Sequence, residues 1–249
     1  MSSDAKWFKY YGDVPHTLNY PDISMYEIEE LFDSFKQMYK DVKDYIGKLS
    51  TLTAEKERIG AELDIAKHIQ ASMLPCIFPA FPDRTEVDIY ATMEPAKEVG
   101  GDFYDFYLLD ENHLAFLVAD VSGKGIPGAM FMMPSKTLIK SHAESGLAVN
   151  DVFTQVNAQL CENNEADMFV TAWMGILDLT TGNIQFANAG HNPPLLKRAN
   201  GDFEYLKTRA GFVLAGMEGV RYRKFELQLQ PGDTIYLYTD GVTEATDAA

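Results

Sequence analysis

Residues 113–133 read HLAFLVADVSGKGIPGAMFMM. An apolar run rich in β-formers ends on Asp120, crosses two closely spaced glycines, and reopens as an apolar stretch of helical character. The run over 113–120 predicts a strand, Ser122 to Gly125 a turn, and 127–145 a helix kinked or broken at Pro134. Working outward, strands are predicted at 87–92, 103–109, 169–178, 184–188, 194–198, 203–206, 222–229 and 234–239, and a second helix at 150–163 with Asn150 as its cap. Turn chemistry at Asp110-Glu-Asn112, Thr180-Thr-Gly-Asn183 and Asn200-Gly201 joins neighbouring strands as hairpins. Hairpins, a helical pair and further hairpins predict an α+β fold, a two-sheet sandwich flanked by helices.

Composition narrows the function. The 249 residues are 46% hydrophobic and 23% charged, values of a globular chain. Thirty-seven Asp and Glu against 21 Lys and Arg give a formal charge of −16, and so acidic a surface repels phosphate backbones, which argues against nucleic acid as a partner. Only Cys76 and Cys161 are present, too few for a disulfide framework or a cysteine zinc site, which predicts a reducing, cytoplasmic setting. No stretch of membrane-spanning length and apolarity occurs in the sequence, and none of signal-peptide type opens it.

Residues 1–23 form an irregular lead-in, aromatic and turn-rich. At Ser24-Met-Tyr-Glu27 a capping box opens a helix. Apolar residues then recur with heptad spacing. Ile28, Phe35, Val42, Leu49, Lys56, Leu63 and Gln70 occupy a, and Leu31, Met38, Tyr45, Leu52, Ile59, Ala66 and Met73 occupy d. Seven heptads reaching Pro75 would make a rod of about 74 Å, which predicts a parallel homodimeric coiled coil through residues 28–73. Lys56 and Gln70 are polar a positions that weaken the seam toward Pro75. The domain plan is thus 1–23 lead-in, 24–75 coiled-coil linker and 76–249 a sheet-rich domain.

Three carboxylates stand where strands run into glycine-containing turns: Asp102 in VGGDFYD, Asp120 in VADVSGKG and Asp240 in YTDGVTE. Carboxylates brought close repel unless a proton or a cation lies between them, and hard oxygen donors in groups select Mg²⁺ or Mn²⁺. The functional reading is a two-metal site, and the bland one, for each aspartate singly, is a turn or cap residue. Ser122-Gly-Lys-Gly125 is no phosphate-binding P-loop, because Val118 stands where its first glycine belongs and Gly125 replaces the magnesium-binding hydroxyl. VGGDF is a near-match to the GGDEF hairpin of diguanylate cyclases, but Phe103 takes the place of the glutamate. Among neighbouring groups, Asp105 is a water-ligand candidate or a surface carboxylate, Lys124 a solvated loop lysine before a phosphate-attracting one, His191 a turn-stabilising histidine before an acid or ligand, and Met130 to Met133 helix core before a binding groove.

Taken together, AELDIAKHIQASMLP, EPAKEVGGDFYDF, FLVADVSGKGIPGAMFM, MFVTAWMGILDLTTG, FANAGHNPP and YLYTDGVTEA resemble the PPM family of metal-dependent serine/threonine phosphatases, in its SpoIIE/RsbU-like branch, over residues 61–249. The resemblance implies an αββα sandwich that binds two Mn²⁺ or Mg²⁺ ions and hydrolyses phosphoserine or phosphothreonine. Asp120 would bridge both ions, the Val121 carbonyl and Asp102 would serve one, and Asp240 the other. The usual substrate in this branch is a phosphorylated STAS-type anti-sigma factor antagonist in a partner-switching pathway. The family's last helix, strand and metal-binding aspartate find no counterpart before Ala249, so the resemblance implies a C-terminally incomplete domain. That leaves a second reading, a catalytically silent phosphatase-fold module that docks a phosphoprotein. Asp22 to Met38, above all Tyr26 to Met38, is similar to the second helix of a HAMP module, which would place a membrane sensor upstream in the parent protein.

Overall fold

The structure is a computed structural model, described for residues 25–95, 97–162 and 164–246. The lead-in 1–23 and the Ser24 cap lie outside the described residues. Contacts divide the chain into one unit ending at Ile59 and a second beginning at Gly60.

The long helix α1 runs Met25–Ser72, and none of its residues before Leu63 is buried. Ile28, Leu31, Phe35, Met38, Val42, Tyr45, Leu49, Leu52 and Ile59, the expected a and d residues, are all exposed. So are Phe32, Tyr39 and Ile46, one position beyond the first three d residues, which makes the apolar stripe there wider than a strict two-position seam. No helix among the described residues is long and apolar enough to cross a membrane.

The end of α1 departs from the expected seam. Leu63 and Ala66 are half-buried and Gln70 is only 2% exposed. The Gln70 carboxamide makes two bonds to one residue, Nε2 donating to the Gly100 carbonyl (2.5 Å) and Oε1 accepting from the Gly100 N–H (3.1 Å). Gln70 is therefore a buried clamp within the second unit. The heptad pattern continues through Met73, but its last positions face the chain's own domain.

In the second unit, β1 (Phe103–Leu108), β2 (His113–Val121), β3 (Val170–Asp178), β4 (Asn183–Ala189) and β7 (Phe225–Gln228) form one antiparallel sheet in the order β1-β2-β3-β4-β7. A smaller antiparallel sheet has the order β6-β5-β8, from Phe203–Tyr205, Leu195–Lys197 and Thr234–Tyr236. Strand alternation sorts the large sheet into two faces. Ala172, Met174, Ala187 and Ala189 join the core under α2 (Ile126–Glu144) and α3 (Val149–Cys161), while Trp173, Ile184 and Phe186 pack with Leu206, Ile235 and Leu237 between the sheets. Phe116, Trp173, Phe186 and Phe225 form a row across four strands, with successive ring centroids 5.3–5.5 Å apart. The expected two-sheet α+β sandwich is present. Its first helical layer is α2 and α3, and Phe203, Tyr205 and Tyr236 of the small sheet are exposed.

Several local expectations change. Residues 87–92 form no strand. Ala91 and Met93 pack on the core, while Tyr90 is 79% exposed and the Phe78 ring stands against both Tyr90 and Phe106 of β1. Side chains, not a hydrogen-bond ladder, anchor this segment. Pro134 sits inside α2 without ending it, and the cap of α3 is Ala148, leaving Asn150 within the helix. Met132 is core as expected, but Met130 is exposed. Asp105 is neither exposed nor turned toward the other aspartates. It is 4% exposed and paired with Lys136 of α2 (2.5 Å), because it shares the inward face of β1 with Phe103.

Candidate functional site

The site gathers where β1 begins and β2 ends. In the β1–β2 register Phe103 faces Ala119, so Asp102, one residue earlier, lies beside Asp120. The close approach needs glycine. A Cβ on Gly101 would stand 2.7 Å from the Val121 carbonyl oxygen. Any larger residue would push the Asp102 segment off the end of β2. From above, Gln70 grips Gly100 by both backbone groups, so Gly100 and Gly101 are held on two sides just before Asp102.

Asp102 and Asp120 stand within hydrogen-bonding reach of each other, and the charge of Asp240 also acts on Asp120. Burial first, then the bond and charge of Asp102 and the charge of Asp240, push the Asp120 carboxyl up to about 8; exposed Lys124 opposes them. The third carboxylate comes from the other sheet. The chain leaves β8, buries Tyr238, and reaches Thr239 and Asp240, where the short helix α4 (Asp240–Thr243) starts. Thr239 caps nothing with its side chain, because its hydroxyl donates to Asp102 Oδ2 (2.6 Å). Asp240 itself is exposed.

His191 lies beneath this group, 6% exposed, with Thr171 at Nδ1 (2.8 Å) and the Tyr238 carbonyl at Nε2 (3.1 Å). Burial pulls its imidazole down to about 4, against the opposing effects of the Tyr238 carbonyl and of Asp102 and Asp240. It is neutral at physiological pH and has no free nitrogen to act as an acid.

The structure thus brings Asp102, Asp120, Val121 and Asp240 to one place, and moves Asp105 away. Sequence reading missed Thr239, Thr171 and the clamp of Gln70. For Thr239 a signal exists, a hydroxyl residue directly before a candidate ligand. For Gln70 none does, because its partner is backbone thirty positions away. Do the residues suit a divalent cation? In kind they do: hard oxygens, unbalanced negative charge, and an Asp120 carboxyl whose charged form is disfavoured by burial and by its carboxylate neighbours. In number they form a close pair with a third group nearby. Among the described residues no three His, Cys, Asp or Glu side chains stand close enough to hold a metal as they are.

The family model of stage II sporulation protein E (SpoIIE) matches residues 110–249, more than half of the chain. The chain belongs to the SpoIIE family. It is 32% identical to the protein IcfG of Synechocystis over 94% of this chain and 40% of IcfG. It is also 32% identical to the phosphoserine phosphatase RsbU of Bacillus subtilis, over 78% of this chain and 57% of RsbU. It therefore spans about half the length of these relatives. Among solved structures it is similar to the SiaA-PP2C domain of Pseudomonas aeruginosa, with a TM-score of 0.63 and 25% identity over 76% of this chain and 74% of that one. The fold is that of the PPM, or PP2C-type, phosphatases in the SpoIIE/RsbU-like branch.

Proposed function

We propose that this chain hydrolyses phosphoserine or phosphothreonine on a partner protein in the cytoplasm, with two Mn²⁺ or Mg²⁺ ions. The observation that carries the reading is the Asp102–Asp120 pair, crowded at the joint end of two strands with Asp240 brought in from the second sheet. Asp120 would face both ions, Asp102 and the Val121 carbonyl one of them, and Asp240 the other. A metal pair, when bound, supplies an acidified water and neutralises phosphoryl oxygens. The chain's own part is placement. Thr239 orients Asp102 through its hydroxyl, Gly101 lets that segment meet Val121, and Lys124 offers an exposed cation for an approaching phosphate monoester. His191 is bonded at both nitrogens, so no imidazole in this group is free to serve as a nucleophile.

The resemblance to RsbU supports a phosphorylated STAS-type protein as substrate, within a partner-switching pathway. The exposed stripe of α1 supports regulation through a parallel homodimer. Because Gln70 and its neighbours are taken by the chain's own domain, the seam available to a second copy is 28–59 rather than 28–73. A second reading, a silent docking module, is favoured by one observation, the lack of a ready three-ligand cluster among the described residues.

The deciding experiment is phosphate release from a phosphorylated STAS-type protein with and without Mn²⁺, with Mn²⁺ binding followed by calorimetry and assembly by sedimentation equilibrium. Mn²⁺-dependent release by a dimer supports the first reading. Tight binding of the phosphoprotein without release supports the second. A monomer at tens of micromolar removes regulation by pairing, and the change of Leu49 and Leu52 to Asp should dissociate a dimer, since charge there must be desolvated on packing.

A further inference from the structure

The turn that carries His191 does not depend on its side chain. Asn188 closes it, Oδ1 accepting from the His191 N–H (2.7 Å) and Nδ2 donating to the His191 carbonyl (3.0 Å). Gly190 aims it, with φ of +73° and a Cβ position only 2.8 Å from Val213 Cγ1. The imidazole is thus left to bond outward, and its two nitrogens reach different segments, one in the large sheet and one beyond the small sheet. Nδ1 meets the hydroxyl of Thr171 on β3 (2.8 Å), and Nε2 meets the carbonyl of Tyr238 beyond β8 (3.1 Å). A carbonyl only accepts, so Nε2 carries the hydrogen and Nδ1 accepts from the threonine.

The two partners are not arbitrary points. Thr171 lies directly opposite Asp120 in the β2–β3 register. Tyr238 is followed by Thr239, which bonds Asp102, and by Asp240. One rigid, buried ring therefore ties the strand paired with Asp120 to the segment that delivers Asp240.

We propose that His191 is a positioning residue, a bolt between the two sheets that fixes the Asp240 segment against the Asp102–Asp120 pair and so sets the spacing of oxygens offered to a divalent cation. Its consequence for metal rests on the metal-phosphatase reading above; the bolt itself rests on geometry alone. Groups that hold ligands in place commonly alter metal affinity tenfold or more when removed.

The test compares the wild type with His191→Ala, His191→Gln and Thr171→Val. Hydrogen exchange of the metal-free proteins is read over 237–244 and over 113–121, and Mn²⁺ affinity by calorimetry. His191→Ala should raise exchange over 237–244 while leaving 113–121 as in the wild type, and weaken Mn²⁺ binding about tenfold or more. His191→Gln, which keeps a donor and an acceptor, and Thr171→Val, which removes only the hydroxyl, should fall between; they also carry the test if the alanine variant fails to fold. Unchanged exchange over 237–244 in all three variants, or an equal rise in both segments, overturns the bolt. Wild-type Mn²⁺ affinity in the variants despite faster exchange overturns its role in spacing. If the wild type takes up no Mn²⁺ while exchange over 237–244 still rises, the bolt stands and the metal-phosphatase reading falls.

Discussion

Strands β2 and β3 pair along their whole length, and an aspartate stands near each end of the ladder. Asp120 lies opposite Thr171 at one end, and Asp178 lies opposite His113 at the other. Both come late in an apolar strand and precede a turn containing glycine, yet their surroundings are opposite. Asp178 is cradled by donors: the Thr180 N–H (2.8 Å), the Thr180 hydroxyl (2.6 Å) and the Thr181 hydroxyl (2.7 Å). Those bonds hold its carboxyl well below the usual carboxylate range. Asp120 meets other carboxylates and is pushed up to about 8. The same residue in the same kind of place is a turn fastener where hydroxyls collect around it, and a candidate metal ligand where carboxylates do.

The largest break between the two ends should come from Asp120→Asn. If Asp120 faces both metal ions, the change should lower metal-dependent turnover by ~10²-fold or more, as is common for essential electrostatic groups. The metal-free fold should respond in the other direction. A carboxyl whose folded value is raised stabilises fully below its unfolded value, near 3.9, and loses that contribution as pH rises through about 8. Asparagine escapes this loss. In chelator, Asp120→Asn should therefore gain on the wild type as pH is raised from 5 to 9, by about 1–2 kcal/mol once solvent screening of a partly exposed group is allowed for. Denaturant titrations at both pH values measure it, and a pH-independent difference would count against the crowding of carboxylates at this end.

A middle-sized effect belongs to Gln70, which acts on the Asp120 end only. Gln70→Leu removes the partner of the half-buried Gly100 N–H and carbonyl, at a cost of about 1 kcal/mol in unfolding free energy. Turnover at saturating Mn²⁺ should change as well, because the clamp lies two residues from Asp102. A stability loss with unaltered turnover would confine Gln70 to holding the fold.

How much of this was legible in the sequence? Elements with a strong period were. The alternation in β3 sends Trp173 to one face and Ala172 and Met174 to the other, as a strand buried on both sides demands. What failed were readings in which a local pattern met a distant partner. The run 87–92 has strand chemistry, but Phe78 lies against both Tyr90 and Phe106 and no ladder forms. Gln70 keeps heptad register, and register alone cannot say that the helix has reached its own domain. At the candidate site, the turns of the three aspartates mark them in the sequence and the fold sets Asp102 beside Asp120, whereas Thr171 and Thr239 matter only because the fold brings them to His191 and Asp102. Asp178 shows the limit of the aspartate rule. It satisfies the same local description, and only the two threonines that follow mark it as structural.

The smallest effect should come from that threonine-bound end. Asp178→Ala removes the acceptor for three close donors, all at an exposed turn where water can replace it. Because the folded carboxyl is held low, its contribution is present above the unfolded value, near 3.9, and is lost as pH falls through the folded one. Asp178→Ala should therefore lower Tm modestly at pH 7, with the gap to the wild type closing as pH drops below about 4. Asp178→Asn keeps an acceptor oxygen without the charge and should recover part of the loss. Mn²⁺-dependent turnover should match the wild type in both variants, since the change is made at the far end of the ladder from Asp120. A Tm gap that stays constant from pH 7 to pH 3 would mean that packing, not the charged acceptor, matters at this turn. A clear loss of turnover would mean that the two ends of the β2–β3 ladder are mechanically linked, and the contrast between a fastening aspartate and a site aspartate would no longer hold.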